Sequence, residues 1–222
     1  MESVSPKSGF RYKVGSFFLK IKALAYSLMH MQDLVRVIKL RRAHEGIQLK
    51  PAEIIKIMHA IAEFESCKML VFGLGNDSSF WCEVNRQGRT VFLEDFQPWF
   101  DKITQKYPDI EAYPVSYPCN ITQWKDLLDQ AEKLAVALPA EVSGHTWDVI
   151  LVDGPRGHKY SAETPGRMSS IYEASRLVGK KGYVFVHDAQ RIIEAAYSKH
   201  FLGRKHFVEK VWGRALMLIY RF

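Results

Sequence analysis

The sequence has few cysteines and no long apolar run. It contains three cysteines in 222 residues and no C-x-x-C pair, which argues against a disulfide framework or a thiolate zinc site and favours a reducing compartment. A membrane-spanning helix needs about 18 uninterrupted apolar residues. The best candidate, residues 14–31, is interrupted by Lys20 and Lys22 and lacks a signal-peptide cleavage site. We therefore expect a cytoplasmic protein.

Surplus charge is also missing from most of the chain. Ten of the 31 basic residues but only three of the 24 acidic residues lie in residues 1–50, so this segment accounts for the whole net charge of +7. Residues 51–222 are balanced, and we expect no nucleic-acid partner for them. Hydrophobic residues make up 47% and charged residues 25%, which is typical of a soluble globular protein and not of a disordered or fibrous one.

We interpret residues 1–50 as a basic amphipathic helical leader and residues 51–222 as one folded domain. Three roles stay open for the leader: packing on the domain or on a second subunit of a homo-oligomer, peripheral contact with a membrane surface, or contact with nucleic acid. Its apolar residues recur at helical spacing beside basic residues, and they are Phe17, Phe18, Ile21, Leu24, Ala25 and Leu28.

Short apolar strands alternate with helical patterns from residue 51 onward. This alternation predicts an α/β fold of parallel βαβ units, with a seven-stranded sheet covered on both faces and an antiparallel hairpin at its C-terminal end. The predicted strands cover residues 69–75, 89–95, 111–117, 147–155, 181–188, 205–212 and 214–222. The predicted helices cover residues 52–65, 78–86, 96–107, 122–138, 166–178 and 189–200.

A glycine loop follows the first predicted strand. In an open α/β sheet, ligands bind outside the carboxyl ends of the strands, and here the chain has Gly73, Gly75 and Asn76. The loop lacks the third glycine of a dinucleotide fingerprint. Glu94, followed by Asp95, ends the second strand, where an acid is suited to ribose hydroxyls. This combination favours S-adenosylmethionine (SAM) over NAD.

Three aromatic residues near this loop are candidates for stacking on the adenine ring of the cofactor. They are Trp81, Phe96 and Trp99, and each is equally compatible with a place in the core.

The fourth and fifth predicted strands end in acids. Asp153 and Asp188 would converge at the same edge, with His187 beside them. Two carboxylates at this place suit a divalent cation that would bind and orient a substrate hydroxyl. One of them acting as a general base without metal is the second interpretation, and Asp153 as a cap of the following loop is the third. His187 is a candidate base or ligand.

A polar, glycine-rich loop covers residues 153–168. Its cationic side chains would suit an anionic substrate such as a uronate, because guanidinium groups match carboxylates in two-point hydrogen bonds. The candidate substrate-binding residues are Arg156, His158, Lys159 and Arg167.

Five segments carry a resemblance to a known family. They are residues 71–78 (VFGLGNDS), 88–95 (GRTVFLED), 147–155 (WDVILVDGP), 164–168 (TPGRM) and 184–188 (VFVHD). In this order they resemble the plant glucuronoxylan 4-O-methyltransferase family, the polysaccharide-biosynthesis domain family that includes the irregular-xylem proteins. The resemblance covers about residues 50–222, and the combination of PGRM with VHD is specific.

The resemblance implies a Rossmann-like class I SAM-dependent methyltransferase that methylates the 4-hydroxyl of glucuronic acid on xylan, with a dependence on divalent metal. It implies that Gly73 and Gly75 form the SAM loop and that Glu94 binds the ribose. It places Asp153, as a further cofactor contact, together with Asp188 at the methyl-transfer site, and Arg167 in the substrate loop.

Two departures from the plant members keep alternatives open. The chain lacks their N-terminal membrane anchor, and between residues 117 and 147 it has only Cys119 where another cysteine is expected. The alternatives are an O-methyltransferase of a small soluble hydroxylated metabolite, a catalytically inactive scaffold in polysaccharide synthesis, and a Golgi-associated protein whose anchor is missing from this chain.

Overall fold

The structure, a computed structural model, describes residues 31–44 and 46–222. The apolar positions of the predicted leader between Phe17 and Leu28 lie outside these residues. Within the described ranges, no helix combines the length and the apolar character that crossing a membrane requires. Helix α1 runs through residues 31–43. The boundary at residue 50 stays a prediction.

Seven strands form a single sheet in the described part of the chain, and this confirms the predicted fold class. The strand order is β3-β2-β1-β4-β5-β7-β6. Strands β1 to β5 are parallel, and β7 pairs antiparallel with both β5 and β6. The strands are β1 (Lys68–Phe72), β2 (Arg89–Glu94), β3 (Glu111–Pro114), β4 (Trp147–Val152), β5 (Val178–Val186), β6 (Phe207–Trp212) and β7 (Leu216–Arg221).

Helices connect the parallel strands across both faces of the sheet. Proline in the first turn, where no intrahelical N–H is needed, favours the starts of α2 and α4. The helices after α1 are α2 (Pro51–Ala62), α3 (Ser78–Val84), α4 (Gln97–Lys106), α5 (Trp124–Leu127), α6 (Ala140–Ser143), α7 (Met168–Leu177) and α8 (Ile192–Tyr197).

The helix predicted over residues 122–138 is wrong. The Val136 N–H donates to the buried carboxylate of Glu173 at 2.9 Å, so a tertiary contact takes a donor that a helix would use. Pro139 also disfavours helical backbone at Leu138. The segment is divided instead among short turns: Ile121–Gln123, α5 and Ala131–Leu134.

Apolar side chains pack against both faces of the sheet. Met69 and Val71 of β1 belong to one buried cluster, and Leu70 and Phe72 belong to the other. Strands that are buried on both faces need near-continuous apolar sequence, which explains why apolar runs in the sequence predict these strands. Three residues of the predicted leader segment also belong to the first cluster: Val37, Ile47 and Leu49.

The strand order reverses at β1, which lies between β2 and β4 and pairs with both. Phe72, the last residue of β1, is in register with Leu93 of β2 and with Val152 of β4. The loops that follow these strands therefore leave the sheet side by side. Open α/β sheets bind their ligands at this kind of reversal.

Candidate active site

A cleft of about 550 Å³ opens at the carboxyl ends of β1, β2, β4 and β5. Eleven of the twelve site residues predicted from the sequence line it. Lys159 is the exception, because it is exposed and does not line the cleft. The predicted residues in the wall are Gly73, Gly75, Asn76, Glu94, Asp95, Asp153, Arg156, His158, Arg167, His187 and Asp188.

Two glycines bring the loops after β1 and β4 into backbone contact. Gly73 has a φ of +114°, which residues with a side chain rarely adopt, and a Cβ there would lie 3.0 Å from the Gly154 nitrogen. A Cβ on Gly154 would lie 2.7 Å from the Gly73 Cα. The Asp153 N–H in turn donates to the Phe72 carbonyl at 3.0 Å. The glycine loop and Asp153 are therefore fixed beside each other.

Glu94 is buried at the end of β2 and holds the neighbouring loops. Its Oε2 accepts the Leu74 N–H at 2.9 Å, and its Oε1 accepts the Phe96 N–H at 3.0 Å. Burial raises the pKa of Glu94 and of Asp95. Glu94 thus reaches the glycine loop from the neighbouring strand, and both acids stay in the wall of the cleft.

The three aromatic candidates for adenine stacking also line the cleft, in different settings. Trp81 is fully buried. The Trp99 indole N–H donates to the Leu74 carbonyl at 2.6 Å. Phe96 is exposed at the mouth, where the Arg156 guanidinium lies 4.6 Å from its ring centroid. Phe96 therefore offers the most accessible ring.

The Asp153 side chain is held in its ionised form. Its Oδ1 lies 2.9 Å from His187 Nδ1 and 3.2 Å from Arg167 Nη2. Burial alone would raise the pKa of Asp153, but the contacts with His187 and Arg167 outweigh burial and lower it. Among the described residues, the side-chain hydrogen bonds of Asp153 with His187 and Arg167 both fall on Oδ1. Oδ2 is therefore left for a ligand.

Arg167 is buried and joins the ends of β4 and β5. Its guanidinium donates to the backbone carbonyls of Asp153, Pro155 and His187, and it pairs with the Asp188 carboxylate at 2.9 Å. Asp188 is paired a second time by Arg191 at 2.9 Å. Arg167 therefore holds the carboxylates of Asp153 and Asp188 next to each other. Its predicted contact with a substrate stays a prediction.

His187 lies between two carboxylates. Its Nδ1 faces Asp153, and its Nε2 lies 3.1 Å from Oε1 of Glu53, a residue of α2 with no exposed side-chain surface. Burial works to lower the pKa of His187, but its contacts with Asp153 and Glu53 outweigh burial and raise the pKa to about 9. At Glu53, the contacts with His187 and with the backbone N–H groups of Lys50 and Arg214 together outweigh burial and lower the pKa of the carboxyl. The ring is therefore cationic at neutral pH.

A divalent cation does not fit this arrangement. Asp153, His187 and Asp188 each bring one ligand atom within 4.8 Å of the others, which is a spacing suited to a metal. Three cationic groups already oppose the two carboxylates, however, since Arg167, Arg191 and His187 contact them. A cation bound to both carboxylates would have to displace these ion pairs, because they already occupy Oδ1 of Asp153 and Oδ2 of Asp188.

The family model described as IRX15/IRX15L/GXM matches residues 52–216. The chain belongs to this family. The matched range contains the cleft loops and every site residue that the sequence predicts.

Several curated relatives from Arabidopsis thaliana are similar to the chain. Glucuronoxylan 4-O-methyltransferase 1 is 38% identical over 183 residues, which cover 73% of this chain and 64% of the relative. Arabinogalactan O-methyltransferase 1 is 33% identical over 192 residues, covering 74% and 66%. Protein IRREGULAR XYLEM 15 is 35% identical over 168 residues, covering 64% and 52%. The chain thus spans less than two thirds of the length of these relatives.

Solved structures support the fold. A caffeoyl-CoA O-methyltransferase-type protein from Staphylococcus aureus superposes with a TM-score of 0.52 at 11% identity, covering 92% of this chain and all of that protein. At such low identity the likeness concerns the fold alone. Together with the strand order, it shows that this IRX15/IRX15L/GXM family member has the Rossmann-like class I methyltransferase fold.

The structure adds four residues to the site that sequence reasoning missed. Asp77 carried a signal, because it directly follows the glycine loop. Burial and the charge of Asp153 raise its pKa to about 6. Arg191 also carried a signal, because it follows Asp188 by three residues and pairs with it. Glu53 and Arg214 carried none, since only the fold brings α2 and the turn after β6 to the ends of the parallel strands.

Proposed function

We propose that the chain is a SAM-dependent O-methyltransferase whose acceptor is a hydroxyl of an anionic saccharide of the uronic acid or glucuronoxylan type. The observation that carries the proposal is the setting of Asp153. This ionised carboxylate is held by Arg167 and His187 beside the glycine loop, in a cleft of about 550 Å³. Relatives named for methyl transfer to glucuronoxylan and arabinogalactan support it.

The cleft suits SAM in size and chemistry. Its volume falls within the range of about 300–1,000 Å³ typical of small-molecule sites, and Gly73 and Gly75 of the glycine loop line it. Asp77 would supply a negative charge for the ammonium group of the cofactor, and Glu94 or Asp95 would accept its ribose hydroxyls. SAM supplies an electrophilic methyl group on a positively charged sulfur.

Asp153 is the proposed general base. As the acceptor oxygen forms its bond to the methyl carbon, the bond from that carbon to sulfur breaks and its electron pair stays on sulfur. The hydroxyl proton passes to Asp153 and then to solvent. Asp188 is less suited, because its side chain is only 16% exposed, against 33% for Asp153. His187 and Arg167 orient Asp153, so positioning contributes much of the rate.

Basic side chains at the cleft support an anionic acceptor. Arg156, His158 and Arg214 line the cleft and are exposed at its rim. A guanidinium forms paired hydrogen bonds with a carboxylate, so the rim would hold a uronate while its neighbouring hydroxyl faces Asp153. A small soluble metabolite that carries the same groups is the alternative acceptor.

A catalytically inactive scaffold is the second candidate function. It is favoured by the presence of Protein IRREGULAR XYLEM 15, whose name states no activity, among the similar relatives. The charged cluster around Asp153 opposes it, since a scaffold has no need for an ionised carboxylate that two cationic side chains hold in the wall of an open cleft.

Calorimetric titration with S-adenosylhomocysteine (SAH), followed by transfer of labelled methyl groups from SAM, tests the proposal. We expect micromolar binding, transfer to glucuronoxylan, and little transfer to xylan from which the uronic acid has been removed. Arg156→Ala should raise the acceptor KM several-fold, whereas Lys159→Ala, the matched loop cation outside the cleft, should not. Chelator should leave SAH binding unchanged. SAH binding without transfer to any acceptor would favour the scaffold. Absence of SAH binding would contradict SAM-dependent methyl transfer to either the saccharide or the small metabolite.

A further inference from the structure

Glu53 is a buried, charged residue that contacts His187 but does not line the cleft. It occupies the third position of α2, where a glutamate commonly caps the helix by accepting a backbone N–H. Here Oε2 accepts the Lys50 N–H at 2.7 Å. Such capping residues normally face solvent, but the Glu53 side chain has no exposed surface. Capping alone therefore does not explain why this carboxylate is buried.

Two further contacts join Glu53 to the active site. Its Oε1 lies 3.1 Å from His187 Nε2 in an ion-pair contact, and neither atom forms a hydrogen bond with any of the described residues. Its Oε2 also accepts the Arg214 N–H at 3.1 Å. The turn between β6 and β7 packs directly on the carboxylate, because a Cβ added to Gly213 would lie 2.1 Å from Oε2.

We propose that Glu53 is a positioning residue of the methyl-transfer site, which holds the His187 ring against Asp153 and places Arg214 at the mouth of the cleft. This inference rests on the proposed function. Glu53 acts through other residues, since its carboxylate faces His187 and two backbone N–H groups rather than the cleft. Its role follows from the line Glu53–His187–Asp153, in which each nitrogen of the ring faces one carboxylate oxygen.

The two carboxylate oxygens of Glu53 make different contacts, so a substitution can change one set of contacts and keep the other. Oε2 serves the start of α2 and the turn at Arg214, whereas Oε1 serves His187. In Glu53→Gln the amide oxygen can keep both backbone contacts while the amide nitrogen replaces Oε1. The variant then retains the cap and the turn, and it removes the negative charge and the oxygen that face His187 Nε2.

The test compares Glu53→Gln with Glu173→Gln, a matched control. Glu173 is equally buried, accepts one backbone N–H from Val136 and pairs with Arg176, but does not line the cleft. For Glu53→Gln we expect kcat to fall about 10- to 100-fold, with SAH affinity and acceptor KM within about threefold of wild type. Glu173→Gln should keep the wild-type kcat.

A double-mutant cycle with His187→Gln separates positioning from general destabilisation. If Glu53 acts through His187, the double variant should have about the same kcat as His187→Gln alone, because the second change removes a contact that is already lost. Independent, multiplying losses of kcat would overturn the proposal. So would equal kcat values for Glu53→Gln and Glu173→Gln.

A second variant covers the case in which Glu53→Gln does not fold. Gly213→Ala, at an exposed turn, would push a methyl group against Oε2 without changing any charge. We expect it to lower kcat while SAH binding is retained, and an unchanged kcat would overturn the proposal.

Wild-type transfer and SAH binding are measured in the same series. An inactive wild type thus reports failure of the proposed function, and an active wild type with unaffected variants reports failure of the positioning role alone.

Discussion

An ion pair between an arginine and a carboxylate lies at each end of the parallel strands, partly exposed at the amino ends and largely buried at the carboxyl ends. At the amino ends, Arg89 pairs with Glu111 at 2.5 Å, and about a third of each side chain is exposed. At the carboxyl ends, Arg167 pairs with Asp188 at 2.9 Å, and their side chains are 6% and 16% exposed. Water screens the first pair and leaves it little net effect, whereas the second pair has lost most of its water. Burial, rather than residue type, therefore distinguishes the candidate site.

The largest expected effect is the loss of methyl transfer in Asp153→Asn. This change keeps the size of the side chain but removes the proposed base, so we expect kcat to fall about 10³-fold. Glu111→Gln makes the same chemical change at the amino ends and should leave kcat unchanged. Initial rates with saturating SAM and acceptor measure both. Equal rates for Asp153→Asn and wild type would remove Asp153 from the mechanism.

Removing one arginine at each end should affect stability very differently. Arg167→Met removes a buried guanidinium that pairs with the largely buried Asp188 and donates to three backbone carbonyls, and we expect the free energy of unfolding to fall by about 3–5 kcal/mol. Arg89→Met should lower it by less than about 1 kcal/mol, because that pair is exposed. Urea denaturation followed by tryptophan fluorescence gives both values. Similar losses in the two variants would contradict the contrast drawn from burial.

A smaller effect is expected where glycine permits close packing of backbone. Gly73→Ala places a side chain at a φ of +114° and against the Gly154 nitrogen, so we expect about 1–3 kcal/mol of destabilisation and weaker SAH binding. Gly203→Ala is the control, because its φ is +73° but a Cβ there meets nothing within 4 Å. It should be mildly destabilised and bind SAH like wild type. Thermal unfolding and calorimetry together separate backbone strain from loss of the site.

The smallest predicted effect concerns pH. The pKa of Asp77 is raised to about 6 by burial and by the charge of Asp153, so this carboxyl is ionised above that pH and neutral below it. Since the cofactor ammonium favours the ionised form, SAH affinity should weaken as the pH falls through 6. In Asp77→Asn the affinity should be lower and should lack this step. Calorimetry at pH 5, 6 and 7 gives the comparison, and an identical pH dependence in both proteins would exclude Asp77 as the charge partner.

Much of the fold could be predicted because its strands follow local rules. Strands buried on both faces are continuous apolar runs, and β1 and β4 end directly at glycine or acid. These positions fix which loops share an edge of the sheet. The residues that end the strands, from Gly73 to Asp188, could therefore be placed together from the sequence alone.

What could not be predicted depends on contacts distant in sequence. The helix expected over residues 122–138 fails because Glu173 accepts the Val136 N–H. Glu53 resembles an ordinary capping residue, and nothing local indicates that it meets His187. Arg167 lies in a polar loop, yet its guanidinium is buried between the ends of two strands. In each case a buried side chain finds a partner that spacing along the chain does not specify.

The contact between Gly73 and Gly154 also has an evolutionary consequence. A side chain at either position would push the loop after β1 and the loop after β4 apart. Selection for catalysis would therefore keep both glycines more strictly than selection for assembly alone, which would act only through the loss of stability. The pair thus offers a simple criterion for sorting catalysts from non-catalysts among related genomes, one that is readable from two codons.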